Sequence, residues 1–505
     1  MFVRRKANKS GSYSVQVVEK RYGRYVVVRS FGASKDEDAL KRMEHSASEF
    51  IASYNGQGVL DFQNSGAVTS AAIFSSIASI VQDGPYRILN RVYDGIGFGA
   101  LGDETLRQLV VSRVCQPMSK LATVDYLRRY CGHDVDINKL YRYMDKLDES
   151  MRGKVQQVSV EHTTRILGGH IGLVFYDVTT LYFESSKEDG LRATGFSKDG
   201  KTAETQIVLG LLVSIDGYPL AYSIFNGSQY EGRTMIPVID DFVRRFSLTD
   251  FIIVADSGLL TRKNIDLLKA AGYKFILGGR IKKECSQVLD WVMSLDKAEE
   301  RLNETVVNTD ERIIVSYSAK RAAKDAHNRD KGIQRLRKAY SSGKVTKQNI
   351  NRRGYNKFLV IENNVAVNID QDKIAEDARW DGLKSYVTNT SLPAAEVIRQ
   401  YHGLWVVERA FRISKGTLET RPIFHFTERR IEAHICICFM AYKVYKELER
   451  ILGILNINLS VDKVIDIAKT ISTVAIHTPD GKTERQVMLL TNEQRLLAPL
   501  ISGQN

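Results

Sequence analysis

The chain has 505 residues, 43% of them hydrophobic and 26% charged, which is the composition of a folded protein with a large core. Its formal net charge of +13 makes a polyanion such as nucleic acid the first partner to consider, with a merely basic surface as the alternative. The five cysteines are scattered, no signal-peptide pattern is present and no apolar stretch reaches about 18 residues, so we expect no disulfide framework, no export and no membrane span.

Residues 1–57 are predicted to form a basic β-hairpin followed by a helix. β-rich runs at 13–18 and 25–28 flank a turn, and a helical pattern follows them. Residues 1–34 contain eight Lys or Arg against the single acid Glu19. Such a hairpin is suited either to lie along a phosphate backbone or to act as a charged edge that opposes aggregation.

Residues 58–167 are predicted to be mostly helical and to serve in DNA binding or oligomerisation. Helical spacing recurs from residue 102 onward, with a break at Pro117. Basic side chains lie along these helices at Arg128, Arg129, Lys139, Arg142 and Lys146. No helix-turn-helix pattern is distinct enough to identify the contacts.

Residues 168–280 contain the most informative order of elements. An apolar run over 172–176 ends at Asp177 and is typical of a buried central strand. The elements that follow are predicted at 207–215 (strand), 219–225 (strand), 234–246 (helix), 251–255 (strand), 262–271 (helix) and 273–277 (strand). Three strands, helix, strand, helix, strand is the order of a ribonuclease-H-like core, so we predict an α/β fold with a mixed sheet of that class.

Residues 281–385 are predicted to be an insertion that interrupts this core. It has strands of its own at 312–317 and 358–361, and between residues 320 and 357 it has 13 Lys or Arg against two Asp. This density favours a nucleic-acid contact over a solvated charged face. The side chains singled out for that contact are Arg329, Arg335, Arg337 and Lys338.

The last part of the core is predicted at 386–455. It includes a helix over 393–415 and a second, apolar helix over 429–452. Residues 456–505 are predicted to be a C-terminal tail with short helices and a turn at 479–481, which we interpret as structural or as a dimer contact.

Three acids stand out in these elements. Asp177 and Asp256 each follow a buried strand, and Glu408 lies within the predicted helix 393–415. Cleavage of a phosphodiester must activate a nucleophile and stabilise a departing oxygen, and two divalent ions about 3.5–4 Å apart do both. Mg²⁺ and Mn²⁺ prefer the hard oxygen ligands that carboxylates supply. We therefore expect the three acids to converge on metal.

Each acid also has a structural interpretation. Asp177 is able to bond to a neighbouring threonine, Asp256 to cap the turn that follows it, and Glu408 to pair with Arg412. The acids that compete for a place in the site are Glu184, Glu204 and Glu231, of which Glu204 is the most plausible substitute.

The spacing of Tyr401, Leu404, Glu408 and Lys415 resembles the signature helix of the DDE insertion-sequence transposases, which have a tyrosine–arginine–glutamate–lysine motif. Segments 176–180 and 254–260 are similar to the two aspartate segments of that family, and segments 421–425 and 433–435 to its downstream region. The resemblance covers roughly residues 170–445. One position departs from it, because Leu404 stands where the family has arginine.

The resemblance implies that Asp177, Asp256 and Glu408 hold two Mg²⁺ (or Mn²⁺) ions and that Tyr401 and Lys415 contact DNA. With Leu404 in place of arginine, we expect contact with the transposon end either to be weaker or to be made by Arg409, Arg412 or the insertion. The implied reaction nicks that end, and the freed 3′-hydroxyl group then attacks DNA. Holding two ends together implies a homodimer on double-stranded DNA.

We therefore expect a cytoplasmic, nucleoid-associated transposase with transposon-end and target DNA as its partners and no membrane. Two alternatives stay open. One is a ribonuclease-H-like nuclease that cuts without strand transfer. The other is a transposase-derived regulator that binds DNA and has no catalytic activity.

Overall fold

The structure is a computed structural model that describes residues 1–21, 23–54, 74–197, 200–201, 203–299, 301–308, 310–342, 354–362, 366–478 and 480–502. The turn predicted at 479–481 lies partly outside these residues. The chain divides into two compact units, residues 1–78 with 476–484 and residues 79–475 with 485–505. Within the described ranges, no helix has the length and apolar character needed to cross a membrane.

The first unit contains a three-stranded antiparallel sheet and one helix. The strands are β1 (Phe2–Ala7), β2 (Tyr13–Arg21) and β3 (Arg24–Ser34), in the order β1-β2-β3, and the helix is α1 (Glu37–Tyr54). Val15 and Val17 of the sheet pack with Leu40 and Ala47 of the helix. The predicted hairpin and helix are confirmed. β1 was not predicted, because its sequence is mostly basic and lacks a clear apolar alternation.

The remaining elements follow in chain order. The first are β4 (Ile77–Val81), α2 (Gly84–Ile96), α3 (Glu104–Cys115), α4 (Lys120–Cys131), α5 (Ile137–Lys146) and α6 (Glu149–Ile166). Next come β5 (Leu173–Tyr182), β6 (Gln206–Ser214), β7 (Pro219–Asn226), α7 (Met235–Phe246), β8 (Ile252–Ala255), α8 (Arg262–Ala270) and β9 (Lys274–Gly278). The third group is α9 (Ser286–Ser294), β10 (Leu302–Asn308), β11 (Glu311–Tyr317), α10 (Ala319–Ser341), β12 (Leu359–Glu362), β13 (Ala366–Ile369), α11 (Gln371–Ala378) and β14 (Leu383–Thr388). The last are α12 (Ala394–His402), α13 (Trp405–Arg412), α14 (Glu428–Ile454), α15 (Val461–Ala468), β15 (Ser472–His477), β16 (Thr483–Met488), α16 (Asn492–Leu496) and α17 (Ala498–Ser502).

The central sheet of the second unit has eight strands in the order β10-β11-β14-β9-β8-β5-β6-β7. β6 is antiparallel to β5 and to β7, whereas β8 is parallel to β5 and to β9. Among the strands of this central sheet, the five that come first in the chain therefore lie in the order β7-β6-β5-β8-β9. This is the mixed sheet, with helices between its later strands, that the sequence predicted.

The predicted insertion is less separate than expected. Strand 312–317 was assigned to it, but β11 joins the central sheet through β14, and β10 extends the same edge. Ile313, Ile314 and Val315 are all buried, so this strand needs cover on both faces, which a small separate hairpin does not provide. The basic helix α10 and the short strand pair β12-β13 lie outside the central sheet.

Helices α2 to α6 and α14 supply much of the rest of the core. α14 is buried along most of its length, as its apolar sequence predicted, and it packs against α2, α3, α5 and α6. Arg430 of α14 forms two hydrogen bonds of 2.7 Å with Asp145 of α5. In the C-terminal segment the sequence predicted only short helices, but β15 and β16 are also present.

Candidate active site

Asp177 lies within the central strand, not at its end. β5 pairs with β8 only as far as the pair Tyr176–Ala255, but it stays paired with β6 up to Tyr182. The prediction that the strand ends at Asp177 is therefore wrong, because the ladder with β6 extends it. The side chain of Asp177 is half-buried, and its Oδ1 accepts a hydrogen bond of 2.8 Å from the Val178 N–H.

Asp256 follows β8 directly and lies beside Asp177. Because Tyr176 and Ala255 are paired in parallel strands, the next residues of the two strands leave that pair at the same edge of the sheet. Asp256 is exposed, and its side chain accepts no capping bond from the turn Ser257–Leu259. The structural interpretation of Asp256 as a cap is therefore wrong.

Tyr401 holds the Asp256 carboxylate. Its hydroxyl group donates to Asp256 Oδ1 at 2.7 Å. Burial and the neighbouring Asp256 raise the pKa of Tyr401 well above its ordinary value of 10, so the phenol stays a donor. Gly278 makes room for it, because a Cβ at that position would collide with the Tyr401 hydroxyl group. Tyr401 was predicted to contact DNA, but here it is buried and faces an acid.

The predicted helix 393–415 is interrupted at Gly403, between α12 and α13. The Gly403 N–H bonds to the carbonyl of Gln400 at 3.0 Å, one residue closer than in an α-helix. The ring of Phe175 in β5 occupies the space that a side chain at position 403 would need. The interruption follows from packing against the sheet, which the helical spacing of the sequence does not reveal.

Glu408 is exposed on α13, and this helix packs against β5. Its proposed partner Arg412 is also exposed, and no ion pair joins the two among the described side chains. Tyr401 and Leu404 are buried. The residues predicted to share one helical face are therefore divided between the core and the surface, and Glu408 is left facing solvent.

Lys384 of β14 is influenced by the charges of both Asp256 and Glu408. Its ammonium lies 4.3 Å from the centroid of the Tyr401 ring. Burial and then the charge of Arg321 lower the pKa of Lys384, whereas the Asp256 and Glu408 carboxylates raise it. Among the described side chains, no ion pair joins Lys384 to either acid, so the two carboxylates act on it through space.

A cleft of about 750 Å³ opens beside Asp256. Its charged side chains are Arg280, Lys282, Lys283, Arg321, Arg329, Lys357 and Lys384 against Asp256, Asp325, Asp377 and Asp381. Asp377 pairs with both Lys282 and Lys357, at 2.6 and 2.7 Å. Arg280 donates to the carbonyl groups of Ser257 and Gly258, which fixes the turn after Asp256. The positive surplus suits this cleft to a phosphate backbone.

Of the side chains predicted to bind DNA, Tyr401 and Arg329 line this cleft and the others do not. Arg335, Arg337 and Lys338 are exposed on α10, and Arg412 is exposed on α13. Lys415 is half-buried on the π-helical turn Ile413–Thr417. Their part in DNA binding therefore stays a prediction.

Among the competing acids, the structure favours Glu231 over Glu204. Glu231 lies close to Gly258, two residues after Asp256. A Cβ atom added at Gly258 would be 3.8 Å from the Glu231 carboxylate. Glu204 instead pairs with Lys201 at 3.3 Å. The Lys201 ammonium lies over the ring of Tyr182, five residues beyond Asp177. Glu231 was one of the acids considered from the sequence. Its place near Gly258 could not be predicted, because it depends on a short 3₁₀ turn.

Asp177, Asp256 and Glu408 have the donor chemistry that Mg²⁺ or Mn²⁺ requires. However, in the part of the chain that the structure describes, no three His, Cys, Asp or Glu side chains form a group that could hold a metal ion. The two aspartates are neighbours at one sheet edge, and Tyr401 holds one of them. The ligand chemistry fits the ions, but this arrangement of side chains is not a ready ligand set.

Comparison with known proteins identifies the family. Residues 169–443 match the family model described as "Transposase DDE domain". The chain belongs to this family. The match contains the acids at positions 177, 256 and 408 and the whole of β5 to α13. No curated protein matches the chain.

Solved structures of transposases share a distant likeness with this DDE transposase. A piggyBac transposase synaptic complex with hairpin DNA is 10% identical over 73% of this chain and 70% of that chain, with a TM-score of 0.39. A Mos1 paired-end complex with the left transposon end is 13% identical over 46% of this chain and 66% of that chain, just under two thirds, with a TM-score of 0.16.

Sequence reasoning missed two cations beside the acids, Lys384 and Arg321. Lys384 lies on β14. This strand was not predicted, because its first residues were assigned to the insertion 281–385. The segment from Leu383 to Thr388, which contains Leu, Tyr, Val and Thr, was the available signal for a strand. Arg321 lies at the start of the basic helix α10, where it could not be distinguished from its many basic neighbours.

Proposed function

We propose that this transposase nicks the 3′ ends of an insertion sequence and joins the freed 3′-hydroxyl groups to target DNA. Asp177, Asp256 and Glu408 are the catalytic carboxylates in this proposal. Its main support is the parallel pair Tyr176–Ala255, which brings Asp177 and Asp256 to one sheet edge. Glu408 lies on a helix packed against the same strand. The family of the chain supports the reaction class.

In this proposal, the three carboxylates bind two Mg²⁺ or Mn²⁺ ions, which would activate the attacking oxygen and stabilise the departing one. Tyr401 fixes the orientation of Asp256 through the hydrogen bond of 2.7 Å. Glu408 and Asp177 are accessible from solvent, so side-chain rotation is able to complete the ligand set.

The cleft beside Asp256 is the proposed path of the DNA backbone. Lys384 and Arg321 place positive charge next to the acids, where a scissile phosphate group would be held. Arg280 keeps the turn after Asp256 in position through two backbone carbonyl groups. The exposed basic residues of α10, and Arg412 and Lys415, are proposed to extend this contact along the DNA.

The proposed partners are the transposon-end and target duplexes, bound by a homodimer that holds two ends together. The boundaries predicted from the sequence remain part of this proposal: an N-terminal DNA-binding region, the two parts of the core, the basic insertion and a C-terminal tail. The signature-helix group with Tyr401, Glu408 and Lys415 is the proposed subfamily.

The deciding experiment is cleavage and joining of labelled DNA that flanks the reading frame of this protein, with Mg²⁺ added. Asp177→Asn should abolish both reactions and preserve DNA binding, because it removes a charged ligand and keeps the size. Asp216→Asn is the matched control, since Asp216 is exposed in the turn after β6, at the opposite end of the sheet.

Three outcomes would contradict the proposal. Cleavage without joined product would favour a plain nuclease. DNA binding without any cleavage in Mg²⁺ or Mn²⁺ would favour a regulator. Cleavage that persists in Asp177→Asn would remove this acid from the site.

A further inference from the structure

A second cavity, of about 460 Å³, lies between α4 and the segment that leads into α14. We name it the Lys120 cavity. The side chains that matter for its chemistry are Arg113, Lys120, Arg421, Phe424, His425 and Arg430. None of these residues lines the cleft beside Asp256, and nothing in the proposed reaction uses this cavity.

The cavity buries positive charge without a partner. Lys120 is 4% exposed and Arg113 is 7% exposed, yet neither forms an ion pair or a hydrogen bond with another side chain that the structure describes. Arg430 is already paired with Asp145, and Glu419 is the one carboxylate among the described lining residues. An unpaired ammonium in such a place is costly unless an anion joins it.

The surroundings of Lys120 favour an anion further. It is the first residue of α4, a helix of 12 residues whose N-terminal N–H groups and dipole attract negative charge. Burial and then Arg113 lower the pKa of Lys120 to about 7. Burial likewise lowers the pKa of His425 to about 3, so His425 is neutral and does not repel the charged Lys120 ammonium.

The rim of the cavity is aromatic. Phe424 and Phe426 are 60% and 63% exposed, which is unusual for side chains of this size. The guanidinium group of Arg192 lies 5.6 Å from the centroid of the Phe426 ring. In proteins that bind single-stranded nucleic acid, bases stack on exposed aromatic rings while nearby cations bind the phosphate groups.

The cavity is attached to the catalytic strand. Ile423, between Arg421 and Phe424, bonds through its N–H to the carbonyl of Tyr182 at 3.0 Å, at the end of β5. Tyr182 is five residues beyond Asp177, which is about 17 Å along a strand. The segment that lines the cavity therefore joins β5 at a point separate from Asp177.

We propose that the Lys120 cavity binds a phosphate group of the transposon-end DNA, away from the phosphate that is cut, with Phe424 and Phe426 against the adjoining bases. The proposal rests on the proposed function for the identity of the DNA. Inorganic phosphate shares the chemistry, and measurements on DNA and on the free anion distinguish the two sources.

The first measurement is the affinity of the full-length protein for its end duplex in EDTA, where no cleavage is needed. Lys120→Met should weaken binding at least about tenfold and reduce the slope of log K against log salt by about 0.9, the value for one lost phosphate contact. Lys274→Met is the control, because it removes the same charge from an exposed position at the start of β9, at the end of the sheet away from Asp256. It should leave both the affinity and the salt slope close to those of the wild type.

The second measurement needs no variant. Neutral methylphosphonates are placed one at a time along the end duplex and bound to the wild-type protein. One position, away from the nick, should weaken binding as much as Lys120→Met does. The same modification should have no further effect on Lys120→Met, because both remove one contact.

Other outcomes overturn the proposal. Unchanged DNA affinity in Lys120→Met, or additive effects of the variant and the methylphosphonate, would exclude this contact. Thermal stabilisation by inorganic phosphate that is lost in Lys120→Met, with DNA affinity unchanged, would assign the cavity to a free anion. Binding with these properties but no cutting in Mg²⁺ would contradict only the proposed function.

Discussion

The phenol of Tyr401 and the carboxylate of Asp256 are 145 positions apart in the chain, and a hydrogen bond of 2.7 Å joins them. The Lys384 ammonium lies over the same phenol ring, and its charge is influenced by both Asp256 and Glu408. Tyr401 is thus the side chain that holds the second acid of the candidate site and also contacts the nearby Lys384 ammonium. It is a positioning residue, because it acts through Asp256.

Tyr401→Phe should reduce DNA cleavage about 10- to 100-fold, the usual cost of removing a group that orients a metal ligand. The ring is kept, so packing and DNA binding should change little. Half-maximal cleavage should need more Mg²⁺ than in the wild type, which a purely structural role would not produce. Titration of Mg²⁺ in a cleavage assay measures both effects.

Tyr273→Phe is the control for that substitution. It removes a hydroxyl group that donates to Asp240 at 3.0 Å on the surface, so it makes the same chemical change away from the site. Equal losses of activity in the two variants, or an unchanged Mg²⁺ requirement in Tyr401→Phe, would contradict the positioning role.

The exposed residues of α10 lead to a prediction about salt dependence. Replacing Arg335, Arg337 and Lys338 together by Gln should weaken DNA binding and reduce the salt slope by about 0.9 for each phosphate contact that is lost. Cleavage at saturating DNA should be preserved, because these side chains do not line the cleft beside Asp256. A salt slope equal to that of the wild type would identify them as a solvated face.

Arg329, on the same helix, should behave differently. Its guanidinium group binds Asp381 with two hydrogen bonds of 2.6 and 2.7 Å, and both side chains are largely buried. Arg329→Gln leaves a buried carboxylate unpaired and should cost about 3–5 kcal/mol of unfolding free energy. Arg337→Gln, exposed on α10, should change it by no more than about 0.5 kcal/mol. Urea unfolding of the two variants makes the comparison, and similar stabilities would refute it.

The contrast between Arg329 and Arg337 shows what the sequence could reveal. The basic helix, the buried strand that contains Asp177 and the strand before Asp256 were predictable, because charge density and apolar runs are local signals. Which arginine pairs with a buried acid was not, because Asp381 lies 52 positions away. Within one helix, local sequence gives the charge but not its partner.

The same limit explains the errors at the candidate site. The spacing around Glu408 is that of a continuous helix, and the ring of Phe175 interrupts it at Gly403 through a tertiary contact. Lys384 was missed because its strand pairs with β9 and β11, which are far away in the chain. The Lys120 cavity joins residues that are about 300 positions apart, so no local pattern indicates it.

Lys120 finally provides a prediction about stability and pH. Its pKa is about 7 in the folded protein, lowered mainly by burial and then by Arg113, against an ordinary value near 10.4 in the unfolded chain. The folded state therefore disfavours the charged form. The cost to stability is full below pH 7 and disappears as the pH rises toward the unfolded value.

Lys120→Met should consequently be more stable than the wild type, by at least about 1 kcal/mol at pH 6 in the absence of DNA. The advantage should shrink between pH 7 and pH 10. The charged or titratable groups that line the cavity with Lys120 are Arg113, Tyr141, Glu419, Arg421, His425, Arg430 and His434. Both histidines are held neutral by burial, since it lowers the pKa of each, so they do not supply this pH dependence. Urea unfolding at pH 6, 8 and 10 measures how the stability difference changes with pH. If Lys120→Met were less stable than the wild type at pH 6, Lys120 would stabilise the folded protein itself, and the cost of its unpaired charge would be excluded.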